Sequence, residues 1–137
     1  MFKMRKILFV LAIITMILSS CSKDSSDSVV FNGLTIKKAD LPNKLNWNDA
    51  RAAATAAGPG WRLPTKAELK IMYDNRNAIG GFNIYTGEYW SSEELNANSA
   101  WICPFGTFGN VTISKSVLGN VRPVSYTHLT LPTTPYV

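Results

Sequence analysis

Hydrophobic and polar positions divide the 137-residue chain into four parts of unequal length. A basic stretch and a run of apolar residues occupy positions 1–20, and a short polar stretch follows at 21–28. Residues 29–124 mix apolar and polar positions as a folded domain does, whereas residues 125–137 are rich in Thr and Pro. The pattern predicts a leader, a tether, one compact domain of ordinary small size and a tail.

The leader is too short for a permanent transmembrane helix. Its apolar run covers positions 7–18, is broken only by Thr15, and follows Lys3, Arg5 and Lys6. As a helix this run would span about 18 Å, whereas the hydrocarbon core of a bilayer is about 30 Å thick. A basic start, a short apolar run and small residues before the cleavage point are typical of a secretory signal peptide. The sequence therefore predicts export, with residues 1–20 removed.

Cys21 predicts how the exported chain is retained. Leu18, Ser19 and Ser20 precede it, and this tetrapeptide resembles the bacterial lipobox, whose cysteine receives a diacylglycerol and becomes the new N-terminus. The resemblance implies a membrane partner through a lipid anchor on Cys21, and an ordinary secretory leader with an incidental cysteine is the alternative. Ser22 in place of Asp favours the outer membrane under the enteric sorting rule. The acidic, Ser-rich stretch resembles surface-export signals of Bacteroidetes lipoproteins, so we expect an outer-membrane lipoprotein that is exposed at the cell surface, with the periplasmic face as the alternative.

The first half of the domain predicts a hairpin and two helices. Apolar residues on both sides of Asn32-Gly33 indicate one or two short strands around a turn. Asn46 is a good N-cap for a helix that ends near residue 57, before Gly58-Pro59-Gly60. Thr65 and Glu68 form a capping box for a second helix, with an apolar stripe that ends at Asn75.

The second half is strand-like. Runs rich in aromatic and β-branched residues occupy positions 88–92, 100–105, 110–114 and 119–124, with Gly, Asn and Ser between them. Two helices followed by a meander of strands predict an α+β fold.

Net charge and composition exclude two classes of protein. The chain carries a formal net charge of +5, but three of its 14 basic residues lie in the leader, which leaves 11 against 9 acidic residues. So small an excess does not support a nucleic-acid partner. A hydrophobic content of 46% with 17% charged residues excludes a disordered chain.

No pattern indicates catalysis, a cofactor or a bound metal. Cys103 has no partner for a disulfide if Cys21 is acylated, and we interpret it as a buried, inert thiol rather than a reactive or metal-binding one. The single histidine, His128, lies in the tail. Glu93 and Glu94 are adjacent and would point to opposite faces of a strand, so they make a poor carboxylate pair for glycoside hydrolysis. The sequence also lacks Gly-x-Ser-x-Gly and phosphate-binding glycine loops, which predicts a non-enzymatic protein.

The tail does not continue the pattern of the domain. Positions 124–133 match, residue for residue, one reading frame of the transposon-end adapter used in tagmentation sequencing libraries. We interpret residues 125–137 as translated adapter rather than as a natural Thr/Pro-rich tail, and such a segment is excluded from fold reasoning. Because no apolar periodicity there matches a core element, we expect its removal to leave thermal stability unchanged.

Motifs within residues 45–124 resemble the DUF1566 family, also called the Lcl C-terminal type domain, and the related Fibrobacter succinogenes major paralogous domain. They are the Trp61-Arg62-Leu63-Pro64-Thr65 block with Glu68-Leu69, then Tyr89-Trp90-Ser91-Ser92, Ala100-Trp101 and Val121-Arg122-Pro123-Val124. The resemblance implies a C-type lectin-like fold with two helices followed by a small twisted antiparallel sheet. It implies no particular reaction, and the formylglycine-generating oxidases of this broad fold need paired cysteines that Cys103 alone cannot supply.

We assign the motif residues to the scaffold, with ligand contact as the alternative. Trp61 is large enough to fill the gap between the two helices, and Arg62 can pair with an acid or a carbonyl. Trp90 and Trp101 are expected in the core on neighbouring strands. The structural motif comprises Trp61, Arg62, Leu63, Pro64, Thr65, Glu68, Leu69, Trp90, Trp101 and Arg122.

Ligand contacts are expected on loops, where C-type lectin-like folds present their binding surface. The candidates are Tyr85, Glu88, Glu93, Glu94 and Asn96. Trp47-Asn48-Asp49 spells the calcium signature of true C-type lectins, but it opens the first helix here, where Asn48 and Asp49 serve the helix N-terminus. We therefore predict binding of a glycan or an envelope protein without calcium. The alternative is a structural envelope or fimbria-associated subunit with no small-molecule ligand.

Overall fold

The computed structural model describes residues 27–126, which fold into two small antiparallel sheets and three helices. The leader, Cys21 and residues 127–137 lie outside the described residues. In chain order the elements are β1 (Ser28–Phe31), β2 (Leu34–Lys37), α1 (Trp47–Ala56), α2 (Lys66–Asp74), α3 (Arg76–Ile79), β3 (Glu88–Glu94), β4 (Ser99–Pro104), β5 (Val111–Ser114) and β6 (Val124–Tyr126). No helix within residues 27–126 is long and apolar enough to span a membrane.

The first sheet joins the two ends of the domain in the order β1-β2-β6. Asn32 and Gly33 form the tight turn between β1 and β2 with φ angles of 51° and 78°, as the sequence predicts. Both residues tolerate the left-handed conformation that two-residue hairpin loops require. β6 then pairs with the other edge of β2.

Both predicted helix starts are confirmed by their caps. The Asn46 side chain accepts from the Asp49 amide over 3.0 Å at the start of α1. At the start of α2, Thr65 accepts from the Glu68 amide, and the Glu68 carboxylate accepts from the Thr65 amide. Asn75 ends α2 as predicted, but the chain continues into the single turn of α3, which the sequence analysis missed.

The second sheet has the order β3-β4-β5, and three of the four strands predicted in the second half of the chain are present. The strand predicted at 119–124 is wrong as a continuous element. Gly119 bridges Leu45 and Asn120 bridges Tyr89, while Val124 opens β6 in the other sheet. The segment changes partner along its length, and Pro123, which lacks an amide hydrogen, cannot donate to a ladder.

Two apolar clusters form the core. The first packs the β1-β2-β6 sheet against α2 and β3–β4; it contains Leu34, Ile36, Leu69, Met72, Ile79, Tyr89, Cys103, Phe105 and Val124. The second packs α1 against β3 and β4; it contains Trp47, Ala50, Ala54, Leu63, Trp90, Ala100, Ile102 and Val121. The small alanines of α1 allow close approach of the helix to the sheet.

The folded region extends slightly beyond the boundaries expected from the sequence. Ser28, assigned to the tether, begins β1. Ser125 and Tyr126, assigned to the tail, lie opposite Thr35 and Leu34 in β6. The last strand therefore continues two residues past the expected end of the domain at Val124.

Candidate functional site around the Tyr85 cleft

Arg62 and Glu68 join the start of α2 to the preceding loop. The Arg62 guanidinium donates to both Glu68 carboxylate oxygens, over 2.8 and 2.7 Å, and also to the Leu63 carbonyl. This confirms that Arg62 pairs with an acid. Burial alone would raise the pKa of Glu68, but the bonds from Arg62 and from the Thr65 amide outweigh it and lower that pKa. Leu63, Pro64 and Leu69 are buried around the pair, so this part of the motif belongs to the scaffold.

Two of the motif tryptophans occupy positions that differ from the prediction. Trp61 does not fill a gap between helices: it is half-buried at the surface, with Lys37 Nζ 4.6 Å from its ring centroid. Trp101 is also half-buried, because the strand alternates and its neighbours Ala100 and Ile102 take the core side. The Lys66 ammonium lies over its ring at 4.1 Å.

Trp90 is a core residue, as predicted. It is fully buried, and its indole N–H donates to the Leu45 carbonyl over 2.8 Å. Trp47, the first residue of α1, is also buried, and its indole N–H donates to the Ser91 carbonyl over 2.8 Å. Both buried rings therefore have partners for their polar atoms.

Arg122 is the most buried charged residue of the described chain, with 1% of its surface exposed. Its guanidinium donates to Asp40 Oδ1 over 2.6 Å and to the carbonyls of Lys37, Gly80 and Gly81. A guanidinium can be buried only when its donors are satisfied in this way. The side chain thus ties the first sheet to the loop that follows α3.

Asp40 extends the hydrogen-bond network of Arg122 to Tyr89 in β3. Its second oxygen accepts from the Tyr89 hydroxyl over 2.9 Å, and that hydroxyl accepts from the Asn83 amide over 2.9 Å. Burial and the Asp40 carboxylate raise the pKa of Tyr89 above its usual value, so the phenol stays protonated and can donate. The network fixes the start of the loop that carries Tyr85.

The Tyr85 loop is held by hydrogen bonds of the Asn83 side chain. The Asn83 side-chain oxygen accepts from the amides of Tyr85 and Thr86, and its side-chain amide donates to the Thr86 hydroxyl. The Tyr85 ring makes none of these contacts and is 84% exposed. A fixed loop therefore presents an aromatic ring to water.

Tyr85 and Glu88 line an open cleft of about 340 Å³. The other lining residues are Thr86, Gly87, Pro104, Gly106 and Thr107. The backbone of Glu88 is fixed by Asn120, whose amide nitrogen donates to the Glu88 carbonyl over 2.7 Å. Within residues 27–126 the Glu88 carboxylate has no cationic partner, which leaves it available to accept hydrogen bonds from a ligand.

The structure does not bring the other three ligand candidates to this cleft. β3 separates Glu88 from Glu94 by six positions, about 20 Å of strand. Glu93 accepts from the Lys66 amide at the start of α2, and Glu94 accepts from Lys115 Nζ over 2.7 Å. The Asn96 side chain accepts from the amides of Asn98 and Ser99 and so shapes the β3–β4 turn. Of the five candidates, the structure therefore brings only Tyr85 and Glu88 together in this cleft.

The structure places the remaining candidates of the sequence analysis in structural positions. Asp49 accepts from the Asn46 side-chain amide over 2.7 Å at the start of α1, as its interpretation as a helix-terminal residue requires. Cys103 is buried, and burial raises the pKa of its thiol. Among the described residues, no group of three or more His, Cys, Asp or Glu side chains is arranged to hold a metal ion.

Comparisons with known proteins identify the fold but not a sequence family. No protein-family model matches the chain, and no curated protein matches it. The resemblance to the DUF1566 family therefore stays a prediction.

Among solved structures, botrocetin superposes with a TM-score of 0.55 at 12% identity, covering 74% of this chain and 97% of its own. EMS16, described as an antagonist of the collagen receptor integrin alpha2beta1, has a TM-score of 0.54 at 11% identity and covers 73% and 97%. The snake venom toxin convulxin has a TM-score of 0.51 at 12% identity and covers 72% and 92%. The chain has the C-type lectin-like fold of these proteins, as predicted.

Proposed function

We propose that this is an exported, lipid-anchored protein of the cell envelope whose C-type lectin-like domain binds a glycan at the Tyr85 cleft. Export and anchoring are supported by the leader and by Cys21. Ser22 favours the outer membrane, and the acidic, Ser-rich stretch after it favours the outer face. A likeness in fold does not by itself determine function, so the binding proposal rests on the cleft.

The exposure of Tyr85 carries the proposal. The ring is 84% exposed although the loop beneath it is fixed by Asn83 and Tyr89, so the point from which the ring projects is set before any ligand arrives. A tyrosine ring can stack on the apolar face of a sugar, and Glu88 can accept hydrogen bonds from sugar hydroxyls. For so small and open a surface we expect affinities of about −8 to −4 kcal/mol, in the micromolar to millimolar range.

Binding is proposed to be independent of calcium. Calcium takes six to eight oxygen ligands, usually from several carboxylates. Glu88 is the one carboxylate among the described residues that line the cleft.

A glycan array followed by titration tests the binding proposal. The purified protein is titrated with its best glycan, with and without a calcium chelator, and the titration is repeated with Tyr85→Ala and Tyr85→Phe. We expect Tyr85→Ala to abolish binding, Tyr85→Phe to retain most of it because the ring remains, and the chelator to have no effect. Loss of binding on chelation would contradict the calcium-independent mechanism. Unchanged binding by Tyr85→Ala would show that the glycan does not bind at the Tyr85 cleft.

A protein partner is the other candidate, and one of the matched solved structures is a complex of botrocetin with the von Willebrand factor A1 domain. Pull-down from envelope extracts separates the candidates. Capture of an envelope protein that requires Tyr85, with no glycan bound on the array, would assign the cleft to that protein.

Anchoring is tested independently with labelled palmitate. The wild-type protein should incorporate the label, whereas Cys21→Ala should leave an unprocessed precursor or an unlabelled form. Cys103→Ala is the matched control and should still be labelled. Absence of label from the wild-type protein would overturn the lipid anchor.

A further inference from the structure

A second, apolar cleft lies against α1. It measures about 380 Å³ and is formed by the loop between β2 and α1 together with the last turns of α1. Its lining residues are Leu41, Pro42, Asn43, Leu45, Ala53, Ala56 and Ala57. We call it the Leu41 groove. Leu41 and Leu45 also pack against the second core cluster, and the groove shares no lining residue with the Tyr85 cleft.

Two lysines without counter-ions belong to the loop that lines the Leu41 groove. Lys38 and Lys44 are both exposed, and within residues 27–126 neither forms an ion pair. The acids nearest in sequence have other partners: Asp27 pairs with Lys37 over 2.7 Å, Asp40 pairs with the buried Arg122, and Asp49 accepts from the Asn46 side-chain amide. This edge of the domain therefore presents uncompensated positive charge next to apolar surface.

The tether that leads from Cys21 joins the domain next to the loop that carries Lys38 and Lys44. The amide of Lys38 donates to the carbonyl of Asp27 over 2.9 Å, so the point where the tether meets the domain touches the lysine loop. Six peptide units separate Cys21 from Asp27 and can extend over at most about 22 Å. If Cys21 carries the lipid anchor of the proposed function, on which this step rests, the bilayer surface lies within that distance of Lys38.

We propose that the Leu41 groove, flanked by Lys38 and Lys44, is the membrane-facing surface of the domain and rests on anionic phospholipid headgroups. Exposed lysines near a bilayer are attracted by anionic lipids, and this attraction acts over about a Debye length, roughly 10 Å at 0.1 M salt. A tether of at most about 22 Å keeps the domain next to the bilayer and allows the lysines to come within that range. Between them Pro42 is exposed and Leu41 is half-buried, so the loop presents a small apolar surface that can contact the interfacial region.

A fluorescence-quenching experiment on the full-length lipidated protein tests this surface. Asn43→Cys places a fluorophore in the groove, and Leu95→Cys places one on the β3–β4 turn, at the far end of β3 from Tyr89 and its partner Asp40. Cys103 is buried and its thiol pKa is raised, so it does not compete for the label. The vesicles contain phosphatidylethanolamine and phosphatidylglycerol, with a nitroxide on some headgroups, and phosphatidylcholine vesicles provide the neutral comparison.

We expect stronger quenching at position 43 than at position 95 in the anionic vesicles, and loss of that difference in Lys38→Glu/Lys44→Glu. Arg51→Glu/Lys70→Glu makes the same change in net charge at two exposed cations elsewhere and should retain the difference. Equal quenching at the two positions, or a difference that is unchanged in neutral vesicles, would contradict the Leu41 groove as the membrane-facing surface but would not contradict the lipid anchor. A wild-type protein that does not float with vesicles would overturn the anchor and the surface together.

Discussion

Arg122 Nε donates to Asp40 Oδ1 over 2.6 Å, although 82 positions of sequence separate the two residues. The guanidinium is fully buried, whereas the Asp40 side chain keeps 18% of its surface exposed. Because Asp40 also accepts from Tyr89, the pair connects the first sheet, the loop after α3 and the strand that leads from the Tyr85 cleft. A buried ion pair of this kind fixes the arrangement of elements, since either partner alone would be an uncompensated charge.

Removing the Asp40 carboxylate should destabilise the domain severely. Asp40→Ala leaves the Arg122 guanidinium buried without its acid, and loss of one partner of a buried pair costs about 3–5 kcal/mol. Denaturant unfolding followed by tryptophan fluorescence measures the loss.

Asp74→Ala is the matched control for that experiment. Asp74 pairs with Lys70 one helical turn away, and both side chains are about half exposed. Such exposed pairs contribute about 0.3–0.5 kcal/mol. Similar losses for the two variants would contradict a structural role for the Arg122 network.

The helix starts could be predicted from the sequence because their signals are local. Asn46 with Asp49, and Thr65 with Glu68, each act within three positions, and the structure shows the same hydrogen bonds. The partner of Arg122 has no such signal, since nothing near Asp40 in the sequence indicates a contact across 82 positions. Long-range pairs of this kind depend on the packed fold.

The five binding candidates do not share one cleft, and strand geometry explains why. All five flank loops, but β3 holds Glu88 at one end and Glu94 at the other. A seven-residue strand is about 20 Å long, so residues at its two ends cannot share a small cleft. Tyr85 and Glu88 remain together because only three positions separate them.

Stability at acid pH should depend on Glu68. Its pKa is lowered in the folded protein from an ordinary value of 4.5, so its contribution is fully present above that value and is lost as the pH falls through the lowered pKa. Glu68→Gln should therefore reduce the free energy of unfolding at pH 7 and flatten its decline below about pH 4.5. Urea unfolding at a series of pH values measures both effects.

Glu94→Gln controls for the loss of one carboxylate, because Glu94 is exposed and pairs with Lys115 at the surface. It should leave the acid decline close to that of the wild type. An equally steep decline in Glu68→Gln and the wild type would contradict the role given to the Arg62–Glu68 pair.

The position of the last strand predicts the outcome of two truncations. A chain ending at Tyr126 keeps all of β6, whereas one ending at Val124 loses the pairs with Thr35 and Leu34. It also loses the Tyr126 ring, which lies 5.0 Å from the Arg62 guanidinium. We expect the shorter chain to be less stable by about 1 kcal/mol, the contribution of one or two net hydrogen bonds.

Thermal unfolding of the two truncated chains side by side measures that difference. Equal melting temperatures would support the original expectation that nothing after Val124 contributes to the fold.

The adapter interpretation is tested separately by sequencing genomic DNA without library adapters: finding the codons for residues 125–137 there would overturn it.

Gly106 should control the position of the Tyr85 ring. A Cβ at Gly106 would lie 2.5 Å from the Tyr85 carbonyl oxygen, so Gly106→Ala must push the two loops apart. Overpacking of this kind costs about 1–3 kcal/mol and would displace the exposed ring from the cleft. We expect weaker binding of the best array glycan together with a modest loss of stability.

Gly109→Ala is the matched control, because no atom lies within 4 Å of a Cβ there and the residue does not require a left-handed conformation. It should bind as the wild type does and be equally or slightly more stable, since alanine restricts the unfolded chain. Calorimetric titration with thermal unfolding separates the two effects: a Gly106→Ala variant with lowered stability but unchanged affinity would show that the ring position does not govern binding.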